Sequence, residues 1–165
     1  MDFRLRRLTP DDAAAFRDIR LEALQTHPEA FGAEFEAEAQ RSLEDWQKNI
    51  ATKTFFTAET EGKLIGMVAF VRHSGRKVEH SGKIISMYVR PDVQAHGVGA
   101  ALLTMALDYA KTLVEQVFLC CVTQNEKAFR FYKRHGFVVY GTEPRVLKIG
   151  ETYYDEYLMV KDLRA

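Results

Sequence analysis

Only two cysteines and four prolines occur in this chain of 165 residues, and no apolar run approaches the ~20 residues that span a bilayer. The cysteines, Cys120 and Cys121, are adjacent. Adjacent side chains on a strand point to opposite faces, so the pair supplies neither a disulfide framework nor a zinc site, and no metal is expected. Two inert core or half-buried thiols are the expectation, in keeping with a reduced, cytoplasmic setting. An excess of one charge is missing too. Lys+Arg and Asp+Glu both number 23, for a formal net charge of zero. General attraction to nucleic acid or to an anionic membrane therefore has no support, and neither partner is expected. The opening residues, Met1 to Leu8, lack the apolar core of an export signal.

What remains is ordinary globular material. Hydrophobic residues make up 47% and charged residues 28%, enough apolar surface for a real core, and the length fits one domain over residues 1–165. Phe3 and Leu5 alternate with Arg4 and Arg6, which predicts a first strand with one wet face. Thr9-Pro10-Asp11-Asp12 reads as a helix start, and Phe16, Ile19 and Ala23 continue at helical spacing to about Gln25. Pro28 breaks that pattern. Short helical turns are expected over Glu29–Gln40, then a helix capped by Ser42.

Thr54–Glu59 and Leu64–Val71, joined by Thr60-Glu61-Gly62-Lys63, predict a hairpin, and His73–Gly82 a polar loop. Lys83–Val89 predicts a strand and Val98–Lys111 a helix. Val117–Val122, apolar throughout, predicts a strand covered on both faces. Glu126–Arg134 predicts a short helix closed by Gly136. Phe137–Tyr140 and Thr152–Val160 predict two closing strands around a turn region at Pro144–Gly150. The order implies an α/β fold, with a mixed sheet covered by helices on both faces.

Gln94-Ala95-His96-Gly97-Val98-Gly99 stands where a helix begins, and backbone N–H groups there suit a phosphate. By itself the turn is equally a glycine-relieved helix start. A dinucleotide fingerprint needs glycine or alanine where Leu102 stands, and no Gly-Lys-Ser/Thr follows for a P-loop. The order of features adds more. Val89-Arg90-Pro91 precedes the turn, Leu102-Leu103 follow it, and Asn125-Glu126-Lys127-Ala128-Phe129-Arg130-Phe131-Tyr132 leads on to Gly136-Phe137.

These two segments together resemble the GCN5-related N-acetyltransferase (GNAT) superfamily. The turn matches its Gln/Arg-x-x-Gly-x-Gly/Ala signature, and the second segment its Asn-x-x-Ala-x-x-x-Tyr-x-x-x-Gly-Phe pattern. The resemblance implies a mostly antiparallel sheet of about seven strands. It implies an N-acetyltransferase that uses acetyl-CoA as cosubstrate and a small-molecule or peptide amine as acceptor, through a ternary complex. A homodimer is compatible with it. The backbone of Met87, Tyr88 and Val89 would pair with the pantetheine arm. Amides and donors from Gln94, Ala95, His96, Gly97, Val98, Gly99 and Ala100 would hold the pyrophosphate. Asn125 would contact the pantetheine or cap its helix. Tyr132 would protonate the leaving thiolate, or else pack with Phe129 and Phe131.

The general base is not readable. Where some relatives carry a strand carboxylate, Lys83-Ile84-Ile85-Ser86 has none. Glu79, His80, Glu34 and Glu36 are each more ordinarily surface residues, and no base is assigned. The missing carboxylate keeps open a non-catalytic acyl-CoA-binding sensor or interaction module.

Overall fold

The computed structural model describes residues 1–164, so the last residue of the expected domain lies outside the described residues. Seven strands form one sheet: β1 (Arg4–Arg7), β2 (Thr54–Thr60), β3 (Lys63–Arg72), β4 (Ser81–Val89), β5 (Gln116–Val122), β6 (Val138–Ile149) and β7 (Thr152–Asp162). Their order is β1-β2-β3-β4-β5-β7-β6. Every neighbouring pair is antiparallel except β4–β5, which is parallel. The helices are α1 (Ala13–Thr26), α2 (Phe35–Ala39), α3 (Leu43–Thr52), α4 (Val98–Lys111) and α5 (Glu126–Arg134). The expected mixed, mostly antiparallel sheet with helices on both faces is what is found.

Each face has its own core. On one, α4 buries Val98, Leu102, Leu103, Ala106 and Ala110 against Val68, Ile84, Val117 and Leu119, and α5 packs beside it. Burial nearly all around α4 follows from its composition, since an apolar helix must be covered on most sides. On the other face, α1 and α3 bury Phe16, Ile19, Ala23, Trp46 and Ile50 over Phe55, Met67 and Tyr88. The Phe16 ring stands 5.6 Å from Trp46 and 4.6 Å from Phe55.

Local chemistry sets the ends. The Asp45 N–H donates to Ser42 Oγ (3.1 Å) and the Ser42 N–H to Asp45 Oδ2 (3.2 Å), a reciprocal cap for α3. Before α1 a 3-10 turn covers Pro10–Asp12, and the Thr9 N–H donates to Asp12 Oδ2 at 2.8 Å. The β2–β3 hairpin turns at Glu61 and Gly62, both with positive φ, as two-residue loops between twisted strands require.

One expectation is overturned. Pro144–Gly150 is not a turn region: β6 runs through it to Ile149 and the chain reverses at Gly150-Glu151. Because β6 is the outer strand of the sheet, Pro144 has an open side where a missing N–H costs no ladder bond. The register shifts between Glu143 and Leu147 to accommodate it. Ser81 and Gly82, expected in a loop, instead begin β4.

Leu102 is fully buried under the sheet. Leu102→Ala should lower unfolding free energy by roughly 2–5 kcal/mol, read as a fall in the urea midpoint at unchanged slope.

Candidate active site

The site begins where two parallel strands part. β4 and β5 pair only through Ser81, Gly82 and Lys83 against Gln116, Val117 and Phe118. The cause lies in β4. Met67 stands opposite Tyr88 and Ala69 opposite Ile85, so three steps along β4 match two along β3. The extra residue is a bulge, which bends its strand. Ser86 sits in it at φ 57°, in the left-handed region that costs a serine roughly 1–2 kcal/mol. The contacts show the resulting change of phase: Ile85 packs toward the α1 core, while Met87 and Val89 pack toward the α4 core. From Ile84 onward the β4 edge facing β5 has no strand partner among the described residues. Met87, Tyr88 and Val89 thus lie on one wall of a wedge-shaped gap.

At the wide end of the gap the chain turns into α4. Ala95 (φ 70°) and Gly97 (φ 79°) both take left-handed backbone. No side chain among the described residues caps the helix. Its first bond runs from the Ala101 N–H to the Gly97 carbonyl at 3.0 Å, which leaves the Val98, Gly99 and Ala100 amides without helical acceptors. A Cβ on Gly97 would meet nothing within 4 Å, so the space before the helix is open. Open space, free amides and the positive end of a 14-residue helix fit an anionic group such as a pyrophosphate. His96 is exposed beside them.

Gln94 is engaged differently from a free ligand donor. Its Nε2 donates to the Val89 carbonyl (3.1 Å), and its Oε1 accepts from Lys127 Nζ (2.6 Å). It fastens the turn to the end of β4 and draws a cation from α5 toward the helix start. No local signal in the sequence marks Lys127, because only the fold brings it 33 positions back to Gln94.

The gap's other wall is β5 with α5. Asn125 caps α5, its Oδ1 accepting from the Ala128 N–H at 3.1 Å, which leaves its amide NH2 for a ligand. Tyr132 sits between Phe131 (5.3 Å) and Phe137 (5.9 Å), edge to face with both. Among the described residues its hydroxyl has no hydrogen-bond partner. Burial, with Cys121 close by, pushes the phenol above its ordinary value. Burial likewise raises the Cys121 thiol to about 11, so both groups stay protonated at neutral pH. The cysteines are the expected half-buried and buried thiols.

The opposite side of the gap is roofed by the N-terminal helices. Arg20 Nη1 donates to Ser86 Oγ at 3.1 Å, its Nε lies 3.8 Å from Glu38, and its guanidinium rests over the Phe31 ring at 5.1 Å. The Tyr88 hydroxyl donates to Glu22 Oε1 (2.9 Å), and Arg90 Nε stands 3.2 Å from Glu22 Oε2. Burial, then the bond to Glu22, pushes the Tyr88 phenol up to about 12. Ser86, Arg20 and Glu22 carry no motif, and no local signal in the sequence marks them.

Other carboxylates and aromatic residues have their own places. Glu79 and His80 precede β4 at the paired end, on a surface cavity of about 400 Å³ with Arg72 and Lys111, away from the gap. Glu34 and Glu36 are exposed on and before α2. Glu38 is held by Arg20 and Arg41, and Glu29 lies 3.6 Å from His27. Tyr153, near the β6–β7 turn, lies under Arg145 and Lys148.

Gly97 and Gly99 should respond oppositely to alanine. Gly97→Ala places a Cβ at φ 79° and should cost about 1–2 kcal/mol. A Cβ on Gly99 would touch Met87, Val89 and Phe131 only at 3.5–3.7 Å, ordinary contact, so Gly99→Ala should hold or slightly raise stability. Paired urea unfolding curves decide this, and a loss of equal size in both variants would contradict it.

Comparison with known proteins agrees with this architecture. An acetyltransferase of the GNAT family from Streptococcus pneumoniae superposes with a TM-score of 0.87 at 23% identity, over 98% of this chain and 99% of that one. An acetyltransferase structure from Salmonella typhimurium with its cofactor acetyl-CoA gives 0.79 at 21% identity, over 98% and 94%. At such identities the likeness is one of fold. An uncharacterized N-acetyltransferase of Mycobacterium bovis is 30% identical over 67% of this chain and 68% of its own length. A mycothiol acetyltransferase of Acidimicrobium ferrooxidans is 30% identical over 78% of this chain, which spans 41% of that protein's length. The sequence profile of the acetyltransferase (GNAT) family matches residues 16–137, and the chain belongs to that family.

Proposed function

We propose that residues 1–165 act as one acetyl-CoA-dependent N-acetyltransferase domain, transferring the acetyl group to a primary amine by direct attack in a ternary complex. The observation that carries the proposal is the β4–β5 gap leading to the uncapped start of α4. A long, thin ligand with a diphosphate at one end suits such a channel. Acetyl-CoA would supply a thioester, already activated for attack by nitrogen.

The chain's own groups would divide the work. The backbone edge of Met87, Tyr88 and Val89 pairs with the amide-bearing arm, as an added strand would. Amides of Ala95 to Ala100, with His96, hold the diphosphate. Gln94 keeps the turn against β4, and Lys127 adds positive charge there. Asn125 offers its free NH2 to the arm. A backbone N–H near Met87 faces the developing oxyanion. The Tyr132 hydroxyl donates to the leaving sulfur.

Magnitudes shape that last role. An ordinary phenol near ~10 and a thiol near ~8.5 make full transfer uphill by about 2 kcal/mol, and burial of Tyr132 widens the difference. Tyr132 therefore acts first as a hydrogen-bond donor to the growing thiolate, and the proton follows as the thiol leaves. Protonated Cys120 and Cys121 are poor nucleophiles, which favours direct attack by the amine over an acyl-enzyme.

The test is thiol release from acetyl-CoA in the presence of the 20 common L-amino acids, spermidine, tryptamine, an aminoglycoside and a peptide with a free N-terminus. Turnover of one amine is expected. Acetyl-CoA binding with no turnover anywhere would instead favour a sensor, and no binding would remove the proposal altogether. Tyr132→Phe should lower kcat at least tenfold while acetyl-CoA affinity holds within about twofold. Because the Tyr132 phenol is raised, its ionisation should contribute no falling limb to the kcat profile below pH 10.

A further inference from the structure

The transfer needs a group to take a proton from the acceptor, and the described structure narrows the choice. Pairing fixes which side chains share the acceptor face of the sheet. Leu119 and Cys121 point into the α4 core, so Phe118, Cys120 and Val122 point the other way. Ile84 likewise points into the α4 core, and Lys83 away from it. Glu156 on β7 is paired with Val122 and shares its face. It stands at the end of β5 that has left β4, with Cys120 and Val122 between it and the gap.

Other carboxylates on this side are committed. Glu22 is occupied by Tyr88 and Arg90 and Glu38 by Arg20 and Arg41, while Glu29 lies 3.6 Å from the His27 ring on the Pro28–Ala30 turn. Glu156 is different: half-buried, with no cation at ion-pair distance among the described residues. Its charged and titratable neighbours are Lys83 from β4, Cys120 and Cys121 from β5, and Glu143 from β6, and Tyr140 on β6 stands near Cys120, Lys83 and Glu143 of that set. The turn at Pro28–Ala30 lies against β5 and brings the Glu29–His27 pair to the same side. Glu143 is directly opposite Glu156 in the β6–β7 ladder, an arrangement of like charges that weakens a sheet. Burial first, and Glu143 in part, raise the Glu156 carboxyl above its ordinary value, while Cys120 and Lys83 pull it down. A strengthened carboxylate beside a cleft has the properties of a proton acceptor.

We propose that Glu156 is the general base of the acetyl transfer, receiving a proton from the acceptor's ammonium on the side of the gap opposite α4. The assignment rests on the N-acetyltransferase reading above. It implies a cationic acceptor amine. In balance, one ammonium proton passes to Glu156 and on to water. The freed nitrogen lone pair attacks the thioester carbon, forming the C–N bond. The C–S bond breaks with its electron pair on sulfur, Tyr132 gives its proton to that sulfur as the thiol forms, and a second nitrogen proton, carried through water, restores the phenol. The third hydrogen stays on the amide.

The experiment has two readouts. In the first, protein labelled with 13C at glutamate carboxyls is titrated by NMR with and without acetyl-CoA, and Glu156→Gln identifies the resonance. Glu156 should titrate above an ordinary glutamate, and Glu143→Gln should lower its midpoint. In the second, kcat/KM is followed against pH with the amine of highest turnover in the panel above. Glu156→Gln should fall about 100-fold or more near pH 7 and lose the rising limb. Its thermal midpoint should equal or exceed the parent's, because the like-charge pair with Glu143 is relieved, and its acetyl-CoA affinity by calorimetry should match the parent. Glu143→Gln should move the limb to lower pH and Lys83→Met to higher pH. An ordinary Glu156 midpoint, or a Glu156→Gln enzyme with the parental rate and limb, overturns the assignment. Parental acetyl-CoA binding and turnover test the broader reading separately.

Discussion

A single residue of excess length in β4 governs the molecule. Parallel neighbours normally continue side by side as long as both strands extend. Here the bulge at Ser86 bends β4, and pairing with β5 stops at Lys83. Seven strands with α4 and α1 on opposite faces would make a closed sandwich; the bulge opens it along one line. The left-handed serine is strained, so the surroundings must hold it. Arg20 does so from α1, and the α4 core holds Met87 and Val89 just beyond. Everything proposed for the site depends on this gap, since strand edge, helix start and proposed base would otherwise be sealed by ladder hydrogen bonds.

Charge is distributed to suit that opening. The net balance of zero conceals two environments. At the α4 start, free amides and Lys127 collect positive potential where a diphosphate would lie. On the acceptor face most carboxylates are answered by arginine or tyrosine. Glu156 is left half-buried opposite Glu143. A stability-driven sheet would not keep that pair, because like charges directly across a ladder oppose it.

Much of the fold was legible because its signals are short-range. The boundaries of α4 and α5 follow from Gly97, Asn125 and Gly136, each acting within one helical turn. The Ser42 cap and the Glu61-Gly62 turn act within three residues. Pro144 shows the limit. A proline among polar residues reads as a turn, yet on an outer strand it costs nothing, and whether a strand is outer is a property of the whole sheet. The motif turn was legible in its glycines but not in the role of Gln94, whose partners are Val89 and a lysine on another helix.

By itself the sequence determined the element order and the two glycine- and asparagine-marked helix starts, since these depend on spacing within a few residues. Tertiary structure alone decided that the bulge opening the gap falls at Ser86 and which charged groups face it. Arg20 and Ser86 are 66 positions apart, and Glu156 feels the charge of Lys83 across two strand pairings. Such neighbours are chosen by sheet order and by the phase of a bulge, which flips the face of every side chain after it. Neither property is carried by any stretch of chain short enough to read alone.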